Sequence, residues 1–224
     1  HYPLRRQRQM CIRDRIRWSA SEDLAMWVPR TDNTAGDYRL DNGSQIVTAI
    51  QTRQEILIFT DTAIYSMQFV GLPYVFTFNL LATNISIISP NSVITANNLV
   101  FWMGHDKFYV YDGQVRALPS TLRSYVYDGM NKNQEFQIFA GGNEGFNEAW
   151  WFYCSSGSNS IDSYVIYNYL ENIWYFGSMA RSAWLDSGSK SNPIAADYNN
   201  RLLYHEVGTD DISGTSATSL SSYI

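Results

Sequence analysis

Histidine, cysteine and charge are scarce in this 224-residue chain, and each shortage closes off a kind of chemistry. Three His and two Cys are present, and charged side chains make up 17% of the sequence. His105 and His205 are the histidines beyond the first residue, and neither has a second metal-ligating residue at helical or hairpin spacing. His105 lies between Gly104 and Asp106 and reads as a turn residue. No apolar run, even around Leu99 to Met103, approaches the roughly 20 residues of a membrane-spanning helix. There is no phosphate-cradling glycine loop and no Gly-x-Ser-x-Gly elbow. Ser187-Gly188-Ser189-Lys190 matches the Ser-x-x-Lys pattern of some acyl-transfer enzymes, but it stands in a Gly/Ser-rich loop instead of at a helix start. The sequence therefore leads us to expect no catalytic residue, no cofactor-binding residue and no metal ligand.

What is present begins with an oddity. Residues 5–14, Arg-Arg-Gln-Arg-Gln-Met-Cys-Ile-Arg-Asp, resemble the translation of a transposon adapter used in sequencing libraries. The rival reading is a basic nucleic-acid-binding arm. On the adapter reading, residues 1–15 are non-native and are set aside from fold reasoning, and the chain is expected to be a fragment recovered from bulk DNA sequencing. Cys11 goes with that segment, leaving Cys154 alone, so neither a disulfide nor a thiolate zinc site is expected within the rest. Residues 1–15 hold five of the sixteen basic side chains (Arg5, Arg6, Arg8, Arg13, Arg15) and one of the twenty-one acids (Asp14), leaving eleven bases against twenty acids and a balance of −9. Such a chain does not grip nucleic acid by neutralising phosphates.

The rest reads as strands almost throughout. Residues 45–50, 55–60, 63–69, 74–80, 92–95, 99–103, 107–111, 135–139, 149–154, 163–169, 173–176, 182–185, 194–196 and 202–205 are short runs bounded by Asp, Asn, Gly or Pro and mostly rich in Ile, Val, Phe, Tyr and Thr. One helix is expected, capped by Ser120 and starting at Thr121, with Leu122, Tyr125 and Val126 on one side. Residues 213–224 are Ser/Thr-rich, a linker or a strand approach cut short.

A weak internal repeat organises these strands. Phe101-Trp102-Met103, a polar turn, then Phe108-Tyr109-Val110-Tyr111-Asp112-Gly113 is one copy. Trp151-Phe152-Tyr153 followed by Tyr164-Val165-Ile166-Tyr167-Asn168 is a second, Ile56-Leu57-Ile58-Phe59 followed by Ala63-Ile64-Tyr65 a third, and Leu202-Leu203-Tyr204 starts a fourth. The spacing of Tyr65, Tyr111 and Tyr167 is near the period of propeller blades, and a blade buries its faces only by stacking on neighbours. A β-sandwich explains the strands equally well but not the repeat. The expected fold is all-β, a partial β-propeller of three to four blades spanning residues 16–212.

Because many propellers are glycosidases, paired carboxylates matter. Asp61 and Asp106 fall in hairpin turns, Asp112-Gly113 is an ordinary turn signal, and Glu144 and Glu148 flank Gly145 in a loop able to take a ligand. The Ser-x-Asp-x-Gly-x-x-Trp box of sialidase-like blades is absent. Asp37-x-x-x-Asp41-Asn42-Gly43 has the flavour of a calcium loop without a bidentate acid. The sixteen Tyr are read mostly as strand and core material, with a minority available for a protein–protein surface.

Arg17-Trp18-Ser19, Trp27-x-Pro29, Ala35-Gly36-Asp37 and Asp41-Asn42-Gly43 resemble the opening of the tail-nozzle and packaged-DNA-stabilisation (head-completion) proteins of short-tailed phages. The similarity continues through Ile46-Val47-Thr48-Ala49-Ile50, Glu55-Ile56-Leu57-Ile58-Phe59-Thr60-Asp61, Ile64-Tyr65-Ser66-Met67, Phe101-Trp102-Met103-Gly104, Phe108-Tyr109-Val110-Tyr111-Asp112-Gly113 and Val165-Ile166-Tyr167-Asn168, covering most of residues 16–207. The motifs are structural, with no catalytic signature. The resemblance implies a non-enzymatic virion component, assembled in the host cytoplasm as a homo-oligomeric ring on portal or tail-adaptor proteins. Double-stranded DNA would pass through its lumen without specific binding, and no membrane would be involved. Part of the family's length is missing at both ends. The alternatives are a carbohydrate-binding or glycosidic β-propeller and a bacterial repeat-propeller scaffold.

Overall fold

A computed structural model describes residues 14–188, 190–208, 210–211 and 218–219. The expectations for residues 1–13, for Ser189 and for most of the Ser/Thr-rich tail lie outside the described residues. The chain divides into two compact units, His1–Pro119 and Ser120–Ile224.

The first unit opens with a two-stranded ribbon, β1 (Arg15–Trp18) and β2 (Gly36–Arg39). Arg15 belongs to β1 and pairs with Asp37, and the buried Asp14 accepts from Arg39 Nε at 2.9 Å, so the boundary read at residue 16 falls inside a strand. Two antiparallel four-stranded meanders follow. The first is β3 (Ile46–Gln51), β4 (Ile56–Thr60), β5 (Ala63–Phe69) and β6 (Phe76–Thr83); the second is β7 (Val93–Ala96), β8 (Leu99–Met103), β9 (Phe108–Tyr111) and β10 (Val115–Leu118). The middle strands are nearly continuous runs of buried residues, and the outermost strands β6 and β10 have no buried residue, only half-buried and exposed ones. This is the gradient expected when sheets stack face to face and leave their last strand at the rim. Leu57, Phe59 and Ile64 of the first meander pack on Val100, Trp102, Tyr109 and Tyr111 of the second, with the first strands β3 and β7 adjacent. Each such side chain, fully buried, contributes about 1.5–3 kcal/mol of hydrophobic stabilisation. The opposite face of the first meander is covered by Ile16, Tyr38 and Leu40, with Tyr38 stacked on Phe78 at 4.2 Å.

The second unit repeats the plan. After helix α1 (Arg123–Gly129) and a 3-10 segment (Lys132–Gln137), β11 (Phe139–Asn143), β12 (Glu148–Tyr153), β13 (Ser163–Asn168) and β14 (Ile173–Ser178) form a third meander. β15 (Ala183–Leu185), β16 (Ile194–Ala196) and β17 (Leu202–Tyr204) form a three-stranded fourth, and β18 (Asp210–Asp211) pairs with β19 (Thr218–Ser219). Trp150, Phe152 and Ile166 pack against Trp184 of β15, again with first strand beside first strand. The fold is all-β, built from blade-type meanders packed in pairs as in a partial β-propeller.

Several details differ from the sequence reading. Residues 135–137, expected as strand, belong to the 3-10 segment, because the Asn131 side chain accepts from the Asn133 amide and tightens the chain; the strand starts at Phe139. The helix starts at Arg123 with Leu122 at its N-cap and no side-chain cap, and it buries Val126 and Tyr127 while Tyr125 stays exposed. Ser120 Oγ accepts from the Leu122 amide, two residues too early to cap it. The fourth meander begins at β15, so Leu202-Leu203-Tyr204 is its third strand instead of its start.

Candidate functional site

Two hairpin carboxylates singled out in the sequence, Asp61 and Asp112, are engaged by their own turns. Asp61 accepts the Ser44 amide at 2.8 Å and the Ser44 hydroxyl at 2.5 Å. Burial opposes ionisation there, but the bonds from Ser44 outweigh it and hold the carboxyl below its ordinary value. Gly43 serves this turn: its φ is +101°, and a Cβ would sit 2.4 Å from Thr60 Oγ1. Asp112 accepts from the Gln114 amide and pairs with Arg116. Asp106 is exposed beside Lys107, and His105 is exposed with its amide donating to Ser86 Oγ at 3.1 Å. Two acids not singled out behave in the same way. Asp162 accepts the Ser155 amide and hydroxyl at 2.8 and 2.7 Å, and Asp197 accepts the Asn199 and Arg201 amides and Arg201 Nε.

The calcium-like loop does not converge. Asp37 lies in β2 and pairs with Arg15, Asp41 is exposed, and both the Asn42 amide and its Nδ2 donate to Tyr65 Oη, at 2.7 and 3.2 Å. Among the described residues no group of three or more His, Cys, Asp or Glu is arranged to hold a metal. The Ser187 hydroxyl donates to Asp186, and Lys190 is exposed in the same loop. Cys154 is buried, and burial pushes its thiol pKa up, away from nucleophilic use.

One constellation in the second unit is different. The pair read from the sequence, Glu144 and Glu148, separates: Glu144 is exposed in a 3-10 turn and its amide donates to Asp186 Oδ2 at 3.0 Å, whereas Glu148 turns inward at the start of β12. Glu148 Oε2 accepts from Trp150 Nε1 at 2.9 Å and from Nδ2 of the buried Asn143 at 3.2 Å. The same Nδ2 donates to Glu206 Oε1 at 3.3 Å, which brings two carboxylates within two hydrogen-bond lengths of one another. Burial raises the Glu148 pKa; the bonds from Trp150 and Asn143 pull against it, and the Glu206 charge adds to the rise. Stacked beside this node are Trp150 and Trp184, 5.0 Å apart and 21° from parallel. Trp184 Nε1 donates to the Gly142 carbonyl at 2.7 Å, and its ring lies so close to Gly141 that a Cβ there would be 2.5 Å from Cδ1. The His205 ring lies against Trp184, centroids 4.7 Å apart and tilted by 45°, and its Nε2 accepts from Arg181 Nε at 3.1 Å. Burial, reinforced by the Arg181 charge, lowers its pKa to about 4. Glu206 and Asn143 were missed in the sequence because they meet across 63 positions and carry no local spacing signal.

No protein-family profile matches this chain, and no curated protein matches it. Solved structures do. The extracellular domain of a one-component system from B. thetaiotaomicron is similar at 11% identity with a TM-score of 0.45, over 76% of this chain and 23% of that one. Hsv2 of K. marxianus is similar at 9% identity with a TM-score of 0.43, over 84% of this chain and 56% of that one. The chain thus spans about a quarter of the first and little more than half of the second.

Proposed function

We propose that this chain is a non-enzymatic structural module of a phage virion, belonging to the head–tail connector or tail nozzle. There it closes the portal channel and retains or conducts packaged DNA. The observation that carries the reading is that Asp61 and Asp112, hairpin carboxylates offered by the sequence, are held as acceptors by their own turns. The residues resembling those virion proteins include Phe101-Trp102-Met103 and Val165-Ile166-Tyr167, which form middle strands of the blades. The balance of −9 outside residues 1–15 suits a wall past which duplex DNA moves with little adhesion. On this reading the parent protein works as a ring on portal or tail-adaptor partners.

The test is phage-particle assembly with the full-length parent, run beside a glycan-hydrolysis screen. Glu144→Ala and His105→Ala particles should assemble and retain DNA like wild type. Deleting β14 should abolish both, because it bares a blade edge. Absence of portal and terminase genes from the parent contig would count against the proposal directly.

A second reading is favoured by one observation, the Glu148–Glu206 pair beside Trp150. It gives a glycosidic or carbohydrate-binding propeller its acid with a raised pKa and its stacking surface. Hydrolysis that disappears in Glu148→Gln would replace the structural reading with this one.

A further inference from the structure

We infer that one end of the first unit is the surface through which the chain binds a second copy of itself, head to tail. The inference rests on the ring reading above and names the surface that builds the ring. β5 and β6 form a long hairpin whose tip, residues 69–75, projects Phe69, Val70, Leu72 and Tyr74 into solvent, with Phe69 72%, Leu72 77% and Tyr74 77% exposed. Trp18, at the end of β1, packs edge-on to Phe76 at 5.2 Å, and Phe76 in turn lies 5.8 Å from Phe69. The loop that leaves Trp18 therefore emerges beside the hairpin tip, and it carries Leu24 at 84% exposure together with the exposed Trp27 and Val28.

The area and the charge identify the occupant. With aromatic side chains of roughly 150–250 Å² each, Phe69, Tyr74 and the half-covered Trp27 expose on the order of 400 Å². The four aliphatic side chains add a comparable amount. The total exceeds the roughly 300–600 Å² of the largest patch on a typical monomer and matches the roughly 800 Å² that one partner gives to a standard interface. The hairpin has no Asp, Glu, Lys or Arg from Thr62 to Gly104, whereas the exposed Glu22, Asp23, Arg30 and Asp32 flank the apolar residues of the loop, so the charge lies at the margin of the patch on the loop side. The hairpin tip fits another apolar surface, and the chain itself supplies one. The outer strand β14 and the turn before it expose Leu170, Ile173, Tyr175 and Phe176; Glu171 stands in the turn, and no charged residue occurs from Asn172 to Ala180. Two different patches on one chain make a heterologous contact, which propagates from copy to copy and closes into a ring where the rotation permits.

The experiment uses the whole chain and three preparations: wild type, a tip variant (Leu72→Asp with Tyr74→Asp) and an edge variant (Tyr175→Asp). Their masses are read by sedimentation across a concentration series, and unchanged melting temperatures show that the variants still fold. Wild type should form species larger than a dimer, and each variant alone should self-associate at least tenfold more weakly. An equimolar mixture of the two variants should form a heterodimer and stop there, since one keeps the tip and the other keeps β14. A mixture that stays monomeric overturns the proposal. Wild type that is monomeric throughout removes both the proposal and its support for a ring. A tip variant that associates like wild type removes this surface and leaves the ring reading standing. Binding of wild type, but not of the tip variant, to phosphatidylcholine vesicles would assign the tip to lipid instead.

Discussion

Trp102 offers a sharp test of the blade packing, because its two halves pull in opposite directions. Its ring is fully buried between Phe59, 5.2 Å away and nearly perpendicular, and Tyr109, 5.2 Å away and nearly parallel. Its indole Nε1 has no hydrogen-bond partner among the described residues. Trp102→Ala removes the whole ring from the interface between the first two meanders and should cost about 3–5 kcal/mol, as large aromatic truncations do. Trp102→Phe keeps most of the packing. It leaves a residual cavity of roughly 40 Å³ at most, worth about 1 kcal/mol at about 24 cal/mol per Å³. It also deletes a buried donor whose unpaired state costs about 1–3 kcal/mol. The two terms nearly offset, so Trp102→Phe should lie within about 1 kcal/mol of wild type in either direction. Urea denaturation, with hydrogen exchange read on peptides from residues 93–111, measures both variants in the unit that contains them. A Trp102→Phe cost close to that of Trp102→Ala would mean that the indole N–H is satisfied and contributes. An alanine cost within about half a kcal/mol, the range of surface changes, would place Trp102 outside any core.

Other outcomes follow from the second unit. Gly141→Ala should destabilise it by about 1–3 kcal/mol, the usual cost of overpacking, because the new Cβ meets the Trp184 ring held by the Gly142 carbonyl; an unchanged urea midpoint would show that Trp184 moves freely. Glu144→Ala and His105→Ala, both exposed, should stay within about half a kcal/mol of wild type in the same assay. His205 has a folded pKa lowered to about 4 from 6.5, so its contribution is complete above pH 6.5 and is lost as the pH falls from 6.5 through 4. Glu148, whose pKa is raised, works in the opposite sense, with a contribution present at low pH and lost as the carboxyl ionises. Between pH 6.5 and 4, replacing His205 by Asn should therefore remove close to one proton from the pH dependence of stability; an unaltered slope would show that His205 is not held neutral.

The repeat was legible because blade strands are built from apolar residues at fixed places. Tyr65, Tyr111 and Tyr167 each occupy the third strand of a meander, β5, β9 and β13. Their hydroxyls meet the Asn42 amide, Glu55 and Asn172 respectively, so one aromatic position supplies both core surface and a polar anchor. The rim was harder to read. β10, Val-Arg-Ala-Leu, and β2, Gly-Asp-Tyr-Arg, lie on sheet edges or in a ribbon, where half-exposed strands need no apolar run. Gly141 and Gly142 look like a loop signal, yet they stand inside β11, and Gly141 is needed because the Trp184 ring approaches it too closely for a side chain. The Asn143–Glu148–Glu206 node was beyond reach for a different reason. It joins the two meanders of the second unit through one amide nitrogen, and nothing in the neighbourhood of Glu206 marks it.

That contrast narrows the functional question to a single side chain. A carboxylate that accepts several amide or hydroxyl donors in a turn is stabilised as an anion, and Asp61, Asp162 and Asp197 all have pKa values held down in this way. Such groups fix hairpins and are poor proton donors at neutral pH. General-acid chemistry needs the reverse, a carboxyl whose protonated form is favoured by burial and by a neighbouring negative charge. Burial shifts the Glu148 pKa upward, and the neighbouring Glu206 charge adds to the rise. Yet Glu148 also anchors the edge of β12, since Trp150 and Asn143 both donate to it, and a group that fixed in place is equally explained as the joint between two blades. Glu148→Gln separates these roles. Gln keeps an acceptor oxygen for Trp150 and loses only the ionisable proton, so a structural joint survives the change while a general acid does not.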